Sequence, residues 1–255
     1  MPQLNPTSPQ KSPQSPQKWL LPALGIMTGI ALFLGILLLT KACDNKAEEE
    51  VIKQYEPSEV KQPTSYKECP DSKHPHMIDL GLPSGTKWAC CNVGSANSPE
   101  YDGDYFAWGE TSEKRDYTWK TYELCSGKKT TCFNLDTGIS GTEYDVAQVV
   151  WGDKWQMPTK RQIQELLDNC ESEWVLVNKQ KGRKFYGPNG GSIFLPKTTY
   201  RERESIMLGD DGRYWSGSQS TDSKHCAYYL YIDPKETNIY DYDRYYGFVV
   251  RPVAK

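Results

Sequence analysis

An excess of basic residues is missing from this chain: 30 Lys and Arg stand against 33 Asp and Glu, and the net charge is −3. That balance lacks the electrostatic footprint of a nucleic-acid binder. Histidine is scarce, at three in 255 residues, and no Cys-x-x-Cys pair occurs. A tetrahedral zinc site needs several spaced thiolates or imidazoles. Only His74-Pro75-His76 offers a second ligand type, and these histidines read as a solvent-exposed linker end. Neither a metal nor a cofactor is therefore expected. An internal repeat with a period of roughly 20 to 50 residues is also absent, which excludes solenoid and propeller architectures.

What is present first is a long apolar run. Trp19 to Thr40 carries no charge over 22 residues, enough for a helix to cover a hydrocarbon core of roughly 30 Å. Pro22 falls in the first turn, where its missing N–H has no helical partner to lose. A transmembrane or signal-anchor helix is predicted over 19–40. Cleaved signals have shorter apolar stretches of about 7 to 15 residues. Cys43 follows in Leu39-Thr40-Lys41-Ala42-Cys43, which matches a bacterial lipoprotein cleavage box at Ala42 and Cys43 while Lys41 fits it poorly. A retained anchor and a lipidated Cys43 remain alternatives, and either leaves the protein at the membrane. Lys11, Lys18 and the amino group precede the span, while Lys41 and Lys46 follow it beside Asp44 and Glu48-Glu49-Glu50. Eight cysteines suit an oxidising compartment. These features together predict a single-pass membrane protein with its N-terminus inside and its globular part outside the cytoplasm. Gly25 and Gly29 form a GxxxG pattern through which two such helices could pair.

Residues 1–18 alternate Pro, Gln, Ser and Lys and cannot bury a core, so a disordered tail is expected. The 41–73 stretch is charged, contains Pro57, Pro63 and Pro70, and reads as a stalk. One globular domain should occupy 74–255. Its clearest element is a helix starting at Thr159, with Gln162 completing a capping box and Ile163, Leu166, Leu167 and Cys170 on one apolar face. A second, shorter helix is expected over Glu143 to Val150. Strands are expected at Lys87 to Asn92, Asp104 to Trp108, Trp174 to Val177, Arg183 to Tyr186, Ser192 to Leu195, Tyr214 to Ser216, Ala227 to Ile232 and Phe248 to Val253. Gly187-Pro-Asn-Gly-Gly191 supplies the residues of a tight hairpin connection. Two helices in a mostly antiparallel scaffold of short strands make the class α+β.

Several segments carry a specific resemblance: Asp79-Leu-Gly-Leu-Pro-Ser-Gly-Thr-Lys-Trp-Ala-Cys-Cys-Asn-Val-Gly94, Gly103-Asp-Tyr-Phe-Ala-Trp-Gly-Glu110, Trp151-Gly-Asp-Lys-Trp-Gln-Met-Pro-Thr159, Gly187-Pro-Asn-Gly-Gly-Ser-Ile-Phe-Leu-Pro196, Tyr214-Trp-Ser-Gly-Ser218 and Val250-Arg-Pro-Val253. In this order they resemble the Fibrobacter succinogenes major paralogous domain, a module of bacterial surface proteins and lipoproteins. The resemblance implies an extracytoplasmic domain in a bacterial cell envelope, periplasmic or at the cell surface, with a C-type-lectin-like fold related to that of the formylglycine-generating enzymes. Cys90 departs from the pattern, which commonly has Thr there, and Cys132 and Cys226 are additional. The calcium-dependent sugar motifs Glu-Pro-Asn or Gln-Pro-Asp followed by Trp-Asn-Asp do not occur, so calcium-dependent lectin activity is not implied. The late reactive cysteine pair of the formylglycine-generating group has no visible counterpart at Cys226.

Cys125 and Cys132, seven residues apart, could close a small disulfide loop, although spacing alone does not fix bridge geometry. Cys170 reads as a buried small hydrophobe or a partner for Cys91 across the core. Vicinal Cys90 and Cys91 would face opposite ways in a strand. His225 and Cys226 would likewise diverge, and no acidic orienter is identifiable, so a Cys–His nucleophile lacks its third member. Carboxylates pair at Asp102 with Asp104 and Glu110, at Asp210-Asp211, and at Asp241 with Asp243; glycoside cleavage would need two of them at a set separation. Seven tyrosines cluster late in the chain, and strand alternation places Tyr240 and Tyr242 opposite Asp241 and Asp243. The expected function is a noncatalytic module binding glycan, peptide or envelope protein through loops that present Tyr214, Trp215, Asp210, Asp211, Tyr240, Tyr242 and Arg244. An enzyme acting on extracellular glycan or protein, and a purely structural envelope component, are the alternatives.

Overall fold

Side-chain caps start both α-helices found among the described residues, which in the computed structural model are 73–95, 98–135 and 138–254. Helix α1 (Val146–Trp151) begins after Asp145, whose Oδ1 accepts the N–H groups of Ala147 and Gln148. Because Asp145 takes the N-cap, α1 starts three residues later than the periodicity suggested. Helix α2 (Lys160–Asn169) has the expected capping box, with Thr159 and Gln162 satisfying each other's backbone N–H groups. Ile163 and Leu166 are its buried positions.

Twelve short strands surround the helices: β1 (Met77–Asp79), β2 (Lys87–Ala89), β3 (Trp155–Gln156), β4 (Glu171–Val177), β5 (Gln180–Tyr186), β6 (Ser192–Pro196), β7 (Tyr200–Glu202), β8 (Ser205–Met207), β9 (Gly212–Gln219), β10 (Cys226–Ile232), β11 (Thr237–Asp243) and β12 (Val253–Ala254). They form four small sheets ordered β1-β2-β12-β3, β11-β10-β9, β4-β5-β6 and β7-β8. Every pairing between these strands is antiparallel. The architecture is thus mostly antiparallel strands in small sheets with few helices, consistent with an α+β or mostly-β class. No described helix is long and apolar enough to cross a membrane. Trp19 to Thr40, Gly25 with Gly29, Cys43, the tail and nearly all of the stalk lie outside the described residues.

Two expected strands dissolve into irregular chain. Asp104 to Trp108 forms the isolated Phe106–Phe248 bridge and single backbone bonds from Asp104 to Val93 and from Trp108 to Arg244, and Phe248 to Val253 forms isolated bridges at Phe248 and Val249 and a strand only at its end. Both segments are apolar and buried, and apolar content alone does not tell a buried loop from a strand. The Gly-Pro-Asn-Gly-Gly segment does connect β5 to β6, closed by the Gly187 N–H donating to Gly191 O at 2.8 Å. A Cβ at Gly187 or Gly191 would collide with the carbonyls of Leu80 and Asp79, so this turn is glycine-rich because it packs backbone against backbone.

The β9–β11 sheet lies between two cores. On one face Tyr214, Leu230 and Ile232 join Ile163 and Leu166 of α2, which crosses all three strands. On the other, Trp215, Ala227 and Tyr229 pack with Phe106, Trp108 and Phe248. Strand period two sorts neighbouring side chains of one sheet into these separate interiors. Cys91 and Cys170 share the first core as free thiols, so a bridge between them does not form. Cys125 and Cys132 stand paired as a disulfide.

Asp145 is fully buried and also accepts the N–H groups of Gly141 and Met157, so one carboxylate ties α1 to the chain on both sides. Asp145→Ala leaves those donors without acceptors and should destabilise the domain by about 2–4 kcal/mol, measured by urea unfolding. A loss within experimental error would remove Asp145 from this role.

Candidate functional site

Strand register gathers Tyr229, Tyr231, Tyr240 and Tyr242 on the second face of the β9–β11 sheet, whereas Tyr228 falls on the α2 face under Lys160. Tyr231 pairs with Arg213, and Tyr229 sits between Trp215 on one side and Tyr240 on the other. Tyr242, two residues beyond Tyr240, shares that face. Trp215 and Tyr229 are buried, with Phe248 stacked on Trp215 at 4.3 Å between ring centroids. Tyr240 and Tyr242 remain 40% and 38% exposed, and Tyr231 is half-buried. Ring contacts tie the layer together: Tyr231–Tyr240 at 5.8 Å, Tyr229–Tyr242 at 6.3 Å and Tyr242–Tyr246 at 4.6 Å.

Arg213 closes one side of this layer. Its guanidinium lies 4.0 Å from the Tyr200 ring centroid and 6.0 Å from that of Tyr242, and its Nε donates to Asp211 Oδ2 at 2.7 Å. Burial opposes the arginine's charge, yet the Asp211 carboxylate beside it holds its pKa above the ordinary value. Burial pushes the phenols of Tyr229 and Tyr231 up to about 12, so both keep their protons and remain hydrogen-bond donors at neutral pH. The arrangement is an apolar floor with tyrosine hydroxyls at its surface and a fixed ion pair at its rim. Flat rings with polar edges suit such a surface.

Three residues expected to meet a ligand are interior instead, which corrects that part of the site. The Tyr214 hydroxyl donates to Pro196 O on the α2 side of the sheet. Trp215 donates from Nε1 to Phe106 O at 2.9 Å. Arg244 is fully buried, lies over the Trp108 ring at 4.4 Å from its centroid, and donates to Phe133 O at 3.0 Å and to Gln219 Oε1. Asp210 faces solvent beside Lys197 at 3.2 Å. Arg213 and Tyr200 escaped the sequence reading, although alternation from Tyr214 would have put Arg213 on the opposite face.

The carboxylates do not stand as open pairs. Asp102 accepts the Thr199 N–H and the Tyr105 hydroxyl, Glu110 holds Lys114 at 2.7 Å, and Asp241 accepts from Ser220. A groove of about 950 Å³ runs beside α2, where Ser84 bonds Glu165 and Lys160 covers the Tyr228 ring at 3.7 Å. Several of its polar groups engage one another, Gln164 with Asp168 among them.

His225 and Cys226 do not diverge as expected, because His225 precedes β10 and is free of strand alternation. Both reach Asp243: His225 Nε2 lies 3.6 Å and Cys226 Sγ 3.5 Å from its Oδ1. An acidic partner therefore exists that the sequence did not reveal. Burial, reinforced by the Asp243 charge, raises the Cys226 thiol to about 12, and burial with nearby Lys129 lowers the His225 pKa. Lys129 Nζ also approaches the same Asp243 Oδ1 at 3.5 Å. This environment opposes thiolate formation. The expectation of an exposed linker end at His74 and His76 also fails: both imidazoles approach the Cys90 thiol, at 3.2 and 3.7 Å.

With a pKa near 12, roughly one Cys226 thiol in ten thousand is ionised at pH 8. Iodoacetamide should label Cys226 far more slowly than a free cysteine peptide at that pH, with the rate climbing tenfold per pH unit into the alkaline range, as followed by peptide mass spectrometry. Rapid labelling at pH 7 would mark an activated nucleophile instead. Comparison of the chain with family models, with curated proteins and with solved structures finds no match.

Proposed function

We propose that this chain is a membrane-anchored, noncatalytic envelope protein whose extracytoplasmic head binds glycan through the tyrosine face of the β9–β11 sheet. The observation that carries the reading is the pair Tyr240 and Tyr242, exposed on a floor of buried rings with the Arg213–Asp211 pair beside them. Tyrosine offers a rigid apolar ring and a hydroxyl at low entropic cost, which fits the apolar faces and polar edges of sugar rings. The uncharged Trp19 to Thr40 run supports the anchor, and the motif series from Asp79 to Val253 supports a C-type-lectin-like head of the Fibrobacter major paralogous kind. A thiol enzyme is the weaker reading, since the three groups at Cys226, His225 and Asp243 meet but the thiol is held protonated.

Full-length protein in detergent, screened on a glycan array, should bind a defined glycan set. The double variant Tyr240→Ala and Tyr242→Ala should lose at least about tenfold in affinity, as removal of two stacking rings implies. Tyr101→Ala, which removes a tyrosine that is 67% exposed elsewhere, should bind as the parent does. Unchanged glycan binding by the double variant would overturn the assignment of this face, and binding to peptide arrays alone would overturn the glycan class.

A further inference from the structure

The ladder between β1 and β2 ends on a cluster of soft ligands. Met77 pairs with Ala89, so the next position outward sets His76 against Cys90, and the Cys90 N–H donates to His76 O at 3.1 Å. His74, two residues earlier along extended chain, brings its imidazole to the same thiol. Cys90 Sγ lies 3.2 Å from His74 Nδ1 and 3.7 Å from His76 Nδ1, and all three ligand atoms fall within 4.8 Å of one another. The two imidazoles meet edge to face with centroids 5.0 Å apart.

Tetrahedral zinc geometry, with Zn–S of about 2.3 Å and Zn–N of about 2.0–2.1 Å, places sulfur and nitrogen about 3.5 Å apart. Both observed separations bracket that distance. The His76 backbone N–H donates to Cys90 Sγ at 3.1 Å, the kind of outer contact that favours a thiolate and orients it toward a metal. Arg251 Nη1 donates to Cys90 O at 3.0 Å and fixes the sulfur-bearing residue from behind, while Cys90 is buried and the histidines are half-buried. One side of the cluster is anchored in the core, and the two histidines keep partial exposure.

A second cluster, His225 with Cys226 and Asp243, has comparable spacing but already receives the Lys129 ammonium at its carboxylate. A resident cation competes with a metal ion there. The softer donor set at His74, His76 and Cys90 is the better zinc ligand set.

We propose that His74, His76 and Cys90 bind a zinc ion, with water in the fourth position, and that the ion staples the start of the globular domain to β2. On binding, the Cys90 thiol gives its proton to solvent and its sulfur forms the Zn–S bond, with no change of oxidation state. The site is independent of the tyrosine face.

Cobalt titration of chelator-treated full-length protein in detergent tests the assignment. One equivalent of Co²⁺ should give tetrahedral d–d bands and a thiolate-to-cobalt charge-transfer band, both lost when an equimolar amount of Zn²⁺ is added. Cys90→Ser should abolish the charge-transfer band, His74→Ala and His76→Ala should each weaken cobalt binding at least tenfold, and Cys226→Ser should leave the spectrum intact. The half-buried histidine variants, checked for folding by circular dichroism, keep the test decisive if Cys90→Ser fails to fold. Absence of the bands in the parent, their survival in Cys90→Ser, their loss in folded Cys226→Ser, or recovery of Cys90 in a disulfide by mass spectrometry would each overturn the site.

Discussion

Two fully buried arginines hold the domain's irregular segments in place. Arg251 donates from Nε to Asn92 Oδ1 at 2.7 Å and from Nη1 to the carbonyls of Ala89 and Cys90. Arg244 reaches Phe133 O, Gln219 Oε1 and Cys226 O with its guanidinium carbon 4.4 Å from the Trp108 ring centroid. Neither forms an ion pair with a carboxylate among the described residues. Burying a guanidinium is costly unless its donors are used, and burying loop carbonyls is costly unless they are met. The two costs largely offset each other here, because a planar fork of donors can serve several carbonyls that no ladder reaches, although Arg251 Nη2 stays buried without a hydrogen-bond partner among the described residues.

That constraint explains how so little regular structure defines a site. Asn92 transmits the hold of Arg251 onward, since its Nδ2 donates to Asp102 O at 2.8 Å, and Asp102 in turn accepts the Thr199 N–H beside β7. Arg244 begins the turn directly after β11, and its backbone N–H donates to His225 O at 3.0 Å. The end of the tyrosine-bearing strand is thereby pinned to the start of β10. A strand with Tyr240 and Tyr242 toward solvent would otherwise fray at that end, where no further ladder follows.

Local chemistry was legible in the sequence, and nonlocal burial was not. The capping box at Thr159 and Gln162 lies within one turn of helix, so its residues name the structure they form. Tyr240 and Tyr242 alternate with Asp241 and Asp243 because strand period is also local. Tyr214, Trp215 and Arg244 misled because amphipathic side chains serve equally on a surface or in a core. Which occurs is decided by α2 on one face and by Phe106 and Phe248 on the other, none of them neighbours in sequence. The β7–β8 hairpin was missed for another reason: its strands are three residues each, and its turn places Arg203 rather than glycine at φ 55°. His74 and Cys90 stand 16 residues apart, and only the β1–β2 register converts that separation into contact.

The tyrosine face gains from being continuous with a core. Tyr229 touches Trp215 and Phe248 beneath it and Tyr240 and Tyr242 beside it, so the exposed rings rest on side chains that cannot move independently. Ordering a free surface side chain on binding costs roughly 0.5–1.5 kcal/mol, and much of that cost is met here during folding. Arg213 follows the same logic, since Asp211 and Tyr200 already fix its guanidinium. A charge so neutralised contributes direction more than attraction, and the chain as a whole carries little net charge to steer an ionic partner. The glycan recognition proposed for this face would then rest on ring stacking and fixed hydrogen-bond donors, which favours neutral ligands with flat apolar surfaces over strongly charged ones.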